Sequence, residues 1–244
     1  MALLEVNIIR KDFPLNGGVL SVLRNIQFNV ERGEFVSIIG PSGCGKTTIL
    51  KTILGIDTQY EGKVLLNGEL ITEPALNRGI VFQDHRLLPW LNVYENIAFA
   101  LPAGITKTVK DEKINNVIQL VGLTGFEKVL PRQLSGGMAQ RVGIARAIVN
   151  MPDVLLLDEA FGSLDDFTRA KMQVELQRIV AESHTTTIMV THNIDEAILL
   201  SNKIIVMSDK PASINELIEI DMGYPRDKRS DKFVYFRNRL ITEL

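Results

Sequence analysis

The stretch Glu34-Phe35-Val36-Ser37-Ile38-Ile39-Gly40-Pro41-Ser42-Gly43-Cys44-Gly45-Lys46-Thr47-Thr48 decides the fold. Its first six residues read as a compact strand of buried character. The next eight fit G-x-x-x-x-G-K-[ST], and Lys46 to about Leu54 reads as a helix. Strand, glycine loop, helix is the context a phosphate-binding loop requires. The glycines let successive backbone N–H groups turn inward around phosphate oxygens, and the helix N-terminus adds partial positive charge. Lys46 is expected to reach the β- and γ-phosphates as a point charge, and the Thr47 hydroxyl to ligate Mg²⁺. Pro41, Ser42 and Thr48 complete the phosphate-binding set. Cys44 fills a variable slot as a small residue.

A second landmark lies downstream. Val154-Leu155-Leu156-Leu157-Asp158-Glu159 is a continuous apolar strand ending in two carboxylates. Such a run belongs in a parallel sheet buried on both faces, and sites in such sheets lie at the carboxyl ends of the strands. Asp158 is therefore expected to face the Mg²⁺ near Thr47. Glu159 is expected to point to where water attacks the γ-phosphate, as a general base. A strand that simply ends in solvated acids is the alternative, and the phosphate loop earlier in the chain weighs against it.

Around these landmarks the chain alternates strand and helix, which predicts an α/β sheet. Strands are read at Leu3–Ile9, over the alternating Ile26, Phe28 and Val30, at Lys63–Leu66 before the Asn67-Gly68 turn, and at Gly79–Phe82. Further strands are read at Thr185–Val190 and Lys203–Met207. From about Leu87 to Asn150 the texture turns helical, over Val93–Leu101, Lys107–Val121 and Gly136–Val149, the last with Ser135 as N-cap. Helices are also read over Thr168–Ala181, with Met172, Leu176, Ile179 and Val180 on one stripe, and over Ile194–Leu200. The helical middle reads as an insertion. This gives a nucleotide-binding core over 1–86 and 151–222, a helical subdomain over 87–150 and a tail over 223–244. The tail ends in a short helix and is too short for a full regulatory domain.

Composition narrows the class further. The 244 residues are 45% hydrophobic and 23% charged, close to an average globular domain rather than a disordered chain. Lys plus Arg is 27 and Asp plus Glu 29, so the whole-domain basic footprint of a nucleic-acid binder is absent. One cysteine excludes an internal disulfide framework and a cysteine-cluster metal site. The N-terminal MALLEVNIIRKD has the pattern of neither a signal peptide nor an anchor. No apolar run reaches the ~18–20 residues of a spanning helix, so the chain is expected to be soluble or held at a membrane by a partner.

The next motif is sharper. Leu134-Ser135-Gly136-Gly137-Met138, followed by Gln140-Arg141, resembles the signature of the ATP-binding-cassette family and sits shortly before the acidic strand, as in that family. Ser135 and two glycines opening a helix make a second anion-binding terminus. The resemblance runs from about residue 5 to 220. It implies a P-loop NTPase core with a RecA-like sheet, an N-terminal antiparallel β subdomain and an inserted α-helical subdomain. It also implies ATP and Mg²⁺ as ligands and a head-to-tail dimer, in which Ser135, Gly136 and Gly137 serve the nucleotide of the other subunit. The resemblance places Phe13 where an aromatic stacks on adenine, with a core phenylalanine as the alternative. Gln83 falls where a glutamine contacts Mg²⁺ or the attacking water. Ser163-Leu164-Asp165 matches the D-loop at the dimer interface, and His192 matches the switch histidine that contacts the γ-phosphate. Met138 stands where Gln is common and Asn193 where Asp often follows the histidine. Neither departure removes a phosphate or metal contact. His85 and His184 have no such match and read as surface residues.

The run from Asp84 through Arg86-Leu87-Leu88-Pro89-Trp90 to Ile97 looks like the equivalent segment of importer cassettes for nitrate, taurine and alkanesulfonates, as does Thr191–Ala197. In that group a cleft beside the segment receives a membrane permease. The resemblance thus implies a permease docked near Gln83–Asn96, with Trp90 as a cleft wall or a lobe anchor. It also implies a solute-binding protein acting through the permease, a second cassette as homodimer partner, and a peripheral place on the cytoplasmic face of the membrane. A soluble cassette ATPase, such as an iron–sulfur-assembly subunit, and an export or lipoprotein-release cassette remain open. So does the transported solute.

Overall fold

The computed structural model describes residues 2–15 and 17–243. In chain order the elements are β1 (Leu4–Leu15), β2 (Gly18–Val30), β3 (Phe35–Ile39), α1 (Lys46–Leu54), β4 (Glu61–Leu66), β5 (Glu69–Leu70) and β6 (Arg78–Phe82). There follow α2 (Val93–Ala98), α3 (Lys107–Leu120), α4 (Gly136–Ile148), β7 (Val154–Asp158), α5 (Asp166–Ser183) and β8 (Thr186–Val190). The chain ends with α6 (Ile194–Leu200), β9 (Lys203–Met207), β10 (Ile214–Glu219) and α7 (Asp231–Glu243). They form two compact units, residues 1–75 with 186–244, and residues 76–185.

In the first unit β3 lies between β8 and β9, parallel to both, and β10 returns antiparallel to β9. All five residues of β3 and of β8 are buried, as strands covered on both faces must be. A separate antiparallel sheet is built from β2, β1, β4 and β5. β1 and β2 are longer than the sequence reading allows. The apolar alternation of β1 stops after Ile8 because a bulge at Lys11/Asp12 shifts its register against β2. The shift turns Lys11 inward, where its ammonium donates to Asp57 at 2.5 Å and to the Gln59 carbonyl at 2.8 Å. A buried lysine breaks the hydrophobic pattern while extending the strand. The sequence reading does not include β10, since a single buried residue, Ile218, among exposed and half-buried ones at a sheet edge carries a weak signal.

The tail contributes to the core. Phe233, Phe236 and Leu240 of α7 pack with Ala197 and Ile198 of α6, Ile204 and Val206 of β9, and Ile218. In the second unit β6 runs parallel to β7, with Phe82 opposite Asp158. α4 packs against β6, α2, α3 and α5. The predicted stripe of α5, Met172, Leu176, Ile179 and Val180, is buried.

Phe233 is 1% exposed. Phe233→Ala is expected to cost about 3–4 kcal/mol and Val234→Ala, on the outer face of α7, no more than about 0.5 kcal/mol. Urea unfolding of the two variants checks this. Equal stability would mean that the tail helix is not part of the core.

Candidate functional site

The first unit holds the phosphate loop between β3 and α1. Its conformation depends on glycine, most sharply at two points. Gly40 has φ +156°, and a Cβ there would lie 2.9 Å from the Met207 carbonyl oxygen. Gly45 has φ +121°, and a Cβ there would lie 2.7 Å from Leu23 Cδ2 and 2.9 Å from Val22 Cγ1. No side chain caps α1, so its first-turn N–H groups stay available to an anion. Cys44 and Lys46 are buried, whereas Ser42, Gly43 and Thr47 are exposed; Pro41 and Thr48 are intermediate. Lys46 Nζ donates to the Gly40 and Pro41 carbonyls at 2.7 and 2.8 Å. The ammonium is thus folded onto the loop it serves. Cys44 acts as packing, its Sγ 3.4 Å from the Cβ position of Gly40.

His192 follows β8, whose Val190 pairs with Ile38 of β3. The Thr191 N–H donates to the Ile38 carbonyl at 3.2 Å, so the histidine leaves the sheet beside the strand that feeds the phosphate loop. Its side chain is exposed, and Asn193 caps α6 by accepting from the Glu196 N–H. Phe13 is half-buried, beyond the β1 bulge, with the Lys11 ammonium 4.4 Å from its ring centroid. It is not one of the core phenylalanines.

The second unit holds the acidic strand end. Because Phe82 and Asp158 are in register, Gln83 and Glu159 leave neighbouring strands side by side. Both Asp158 and Glu159 are half-buried. Glu159 has φ +48°, a left-handed conformation that costs a non-glycine residue about 1–3 kcal/mol and recurs at functional sites. The turn behind it is tight. A Cβ on Gly162 would lie 3.1 Å from Gln83 Nε2 and 3.3 Å from the Glu159 carbonyl oxygen. Arg169, which sequence reading passed over, holds this turn, donating to the Phe161 and Leu164 carbonyls at 3.3 and 2.7 Å.

Ser135 caps α4, its Oγ accepting from the Met138 N–H at 3.3 Å. Ser135 and Gly136 are exposed and Gly137 is buried, closed in by Thr168. Asp165 caps α5, and hydrogen bonds from Thr168 hold its carboxyl below the usual carboxylate range. Two exposed helix N-termini, each with its cap, thus stand in one unit. His184 is exposed, as expected. His85 is not a surface residue. It is half-buried, and its Nδ1 lies 2.5 Å from Oε1 of the fully buried Gln140 on α4. Arg146, also on α4, donates to the His85 and Arg86 carbonyls at 2.9 and 2.8 Å. The segment after Gln83 is therefore tied to the helix that Ser135 opens. Further on, fully buried Asn96 binds the Leu88 N–H and the Leu91 carbonyl, at 2.8 and 2.7 Å. That clamp leaves Trp90 71% exposed, so Trp90 is not a core anchor.

A glycine loop shaped for phosphate and a strand ending in carboxylates are parts for handling a nucleoside triphosphate. The family model "ABC transporter" matches residues 23–162. The chain belongs to the ABC transporter family. An aliphatic sulfonates import ATP-binding protein, SsuB of Bacillus thuringiensis subsp. konkukian, is 49% identical over 98% of this chain and 94% of its own length. Among solved structures, cbiO1 from Clostridium perfringens, part of the cbiONQ ABC transporter complex, matches with TM-score 0.80 at 26% identity, over 98% of this cassette and 95% of that chain. A dimeric ATP-binding cassette in a post-hydrolysis state, bound to ADP and Pi, matches with TM-score 0.76 at 29% identity, over 90% of this cassette and 100% of that chain. The ABC cassette described here is an ATP-binding ATPase of a transport system. Among the described residues no helix is long and apolar enough to cross a membrane.

Two substitutions test the two halves. Gly45→Ala is expected to abolish ATP binding, since neither Leu23 nor the positive φ leaves room for a methyl group. Gly162→Ala is expected to leave ATP affinity within about twofold and lower turnover by about tenfold or more, through displacement of Gln83. Equilibrium binding and phosphate release measure each. Unchanged turnover in the second variant would mean that Gln83 is not held by this turn.

Proposed function

We propose that this cassette powers uptake of aliphatic sulfonates through a membrane permease, as one of two subunits that ATP draws together head to tail. Near-full-length identity to a sulfonate-import cassette carries the substrate class. The dimeric cassette with ADP and Pi supports the paired state. The permease docks near Gln83–Asn96, where Trp90 is exposed and the buried Asn96 keeps the segment in shape. A solute-binding protein delivers the sulfonate to that permease. The cassette works peripherally, on the cytoplasmic face of the membrane. Residues 1–86 and 151–222 serve as its nucleotide-binding core, 87–150 as the helical subdomain that carries the permease-facing segment, and 223–244 as a tail.

Each site residue has a role in this reading. Gly40–Thr48 bind the phosphates, Lys46 as the point charge, and Phe13 stacks on the adenine. Ser135, Gly136 and Gly137 contact the nucleotide of the partner subunit, and Asp165 lies at the same interface. Thr47, Asp158 and Gln83 hold Mg²⁺. One hydroxyl, one strand-end carboxylate and one amide fit an ion that keeps its waters and shares substrate phosphates, since Mg²⁺ needs few protein ligands. When bound, Mg²⁺ neutralises charge on the β- and γ-phosphates. Glu159 takes a proton from the attacking water, oriented by its fixed backbone and by Gln83. His192 and Lys46 stabilise the charge that builds on the γ-phosphoryl oxygens.

Glu159→Gln is expected to bind ATP as wild type, to lose more than about 99% of turnover, and to accumulate a dimer in ATP as seen by light scattering. Near-normal turnover would remove Glu159 as the base. Extraction of the tagged cassette from native membranes in mild detergent is expected to recover a polytopic permease, and its deletion to abolish growth on an alkanesulfonate as sole sulfur source. Recovery from the soluble fraction alone would overturn the importer reading.

A further inference from the structure

Four residues approach the phosphate loop from outside its own motif, and one of them is charged. Gly40 packs on Met207 and Gly45 on Val22 and Leu23. Gly43 faces Lys210, whose Nζ lies 3.9 Å from the position a Cβ on Gly43 would take. Gly43 and Lys210 are both exposed. The loop's own ammonium, on Lys46, is buried and engaged with the Gly40 and Pro41 carbonyls. The two lysines thus approach the loop differently, one from within and one at its open surface.

The placement of Lys210 is built into the backbone. It sits at the tip between β9 and β10, and the tip is tied at its base. The Ser208 N–H donates to the Ser213 carbonyl at 3.0 Å, and the Ser213 N–H to Ser208 Oγ at 2.9 Å. Ala212, two residues after Lys210, donates to the Val22 carbonyl and accepts from the Arg24 N–H, each at 2.8 Å. Val22 and Leu23 are the residues that close on Gly45. One rigid arrangement therefore fixes both the loop and the tip that carries Lys210. Among the described residues no carboxylate is paired with Lys210; its chain neighbour Asp209 is exposed.

We propose that Lys210 is a second phosphate-binding cation, delivered from the β9–β10 tip, that strengthens binding of a nucleoside triphosphate over a diphosphate. This rests on the phosphate loop holding the nucleotide. A triphosphate carries more negative charge than a diphosphate, so an added ammonium favours it. Because Lys210 is exposed, its contribution is screened by salt.

The test uses the full-length chain with MgATP and MgADP at low and high ionic strength. Lys210→Met keeps the stem and removes the charge, and Lys210→Arg keeps the charge. At low salt the Met variant is expected to bind MgATP about three- to tenfold more weakly, with a smaller loss for MgADP, and the Arg variant to stay within about twofold of wild type. The loss is expected to shrink at high salt. Wild-type MgATP affinity in the Met variant would overturn the proposal, as would equal weakening by Met and Arg, which would make Lys210 a brace for Gly43. Lys46→Ala serves as the reference for a lost loop contact. If folded wild type does not bind MgATP, the reading of the loop itself fails, and this inference with it.

Discussion

The approach of β2 and β9 to the phosphate loop, close enough to exclude a Cβ at Gly45 and at Gly40, is the constraint on which the nucleotide site depends. Without side chains at those two positions, Val22, Leu23 and Met207 can press directly on the loop backbone. Those contacts fix the backbone of the loop at Gly40 and Gly45. A loop already fixed avoids the cost of ordering a mobile one on binding. It also explains why Lys46 is buried although it is a lysine. Two loop carbonyls solvate its ammonium from within, which removes the penalty of burying an unpaired charge.

A different device shapes the acidic end. There the register of β6 against β7 sets Gln83 beside Glu159, and a left-handed backbone at Glu159 turns the chain sharply away from the strand. The turn is stabilised by Arg169 from the following helix, which satisfies the carbonyls that the turn leaves open. Strain at one residue is thus offset by hydrogen bonds from another element.

In the helical part of the second unit, hydrogen bonds join α4 to the segment that leads to the exposed Trp90. Gln140 and Arg146 on the helix that Ser135 opens are bonded to His85 and to the His85 and Arg86 carbonyls. These bonds tie the segment to that helix. In the sequence no pattern marks His85 as anything but a surface residue. Its partner lies on a helix far along the chain, and pairing over that separation leaves no periodic trace in the sequence.

Local patterns that act through the backbone were legible from the sequence alone. The glycine loop after an apolar strand, the carboxylates ending β7, the serine and aspartate caps of α4 and α5, and the stripe on α5 each depend on residues close together in the chain, where geometry follows from spacing. Features that depend on distant segments were decided only by the tertiary structure. They include the bulge that turns Lys11 inward, the edge strand β10, the burial of the tail helix through Phe233 and Phe236, the clamp of Asn96, and the tip that brings Lys210 to Gly43. Each of these rests on a contact whose partners are separated in sequence, and such contacts exist only once the chain has packed.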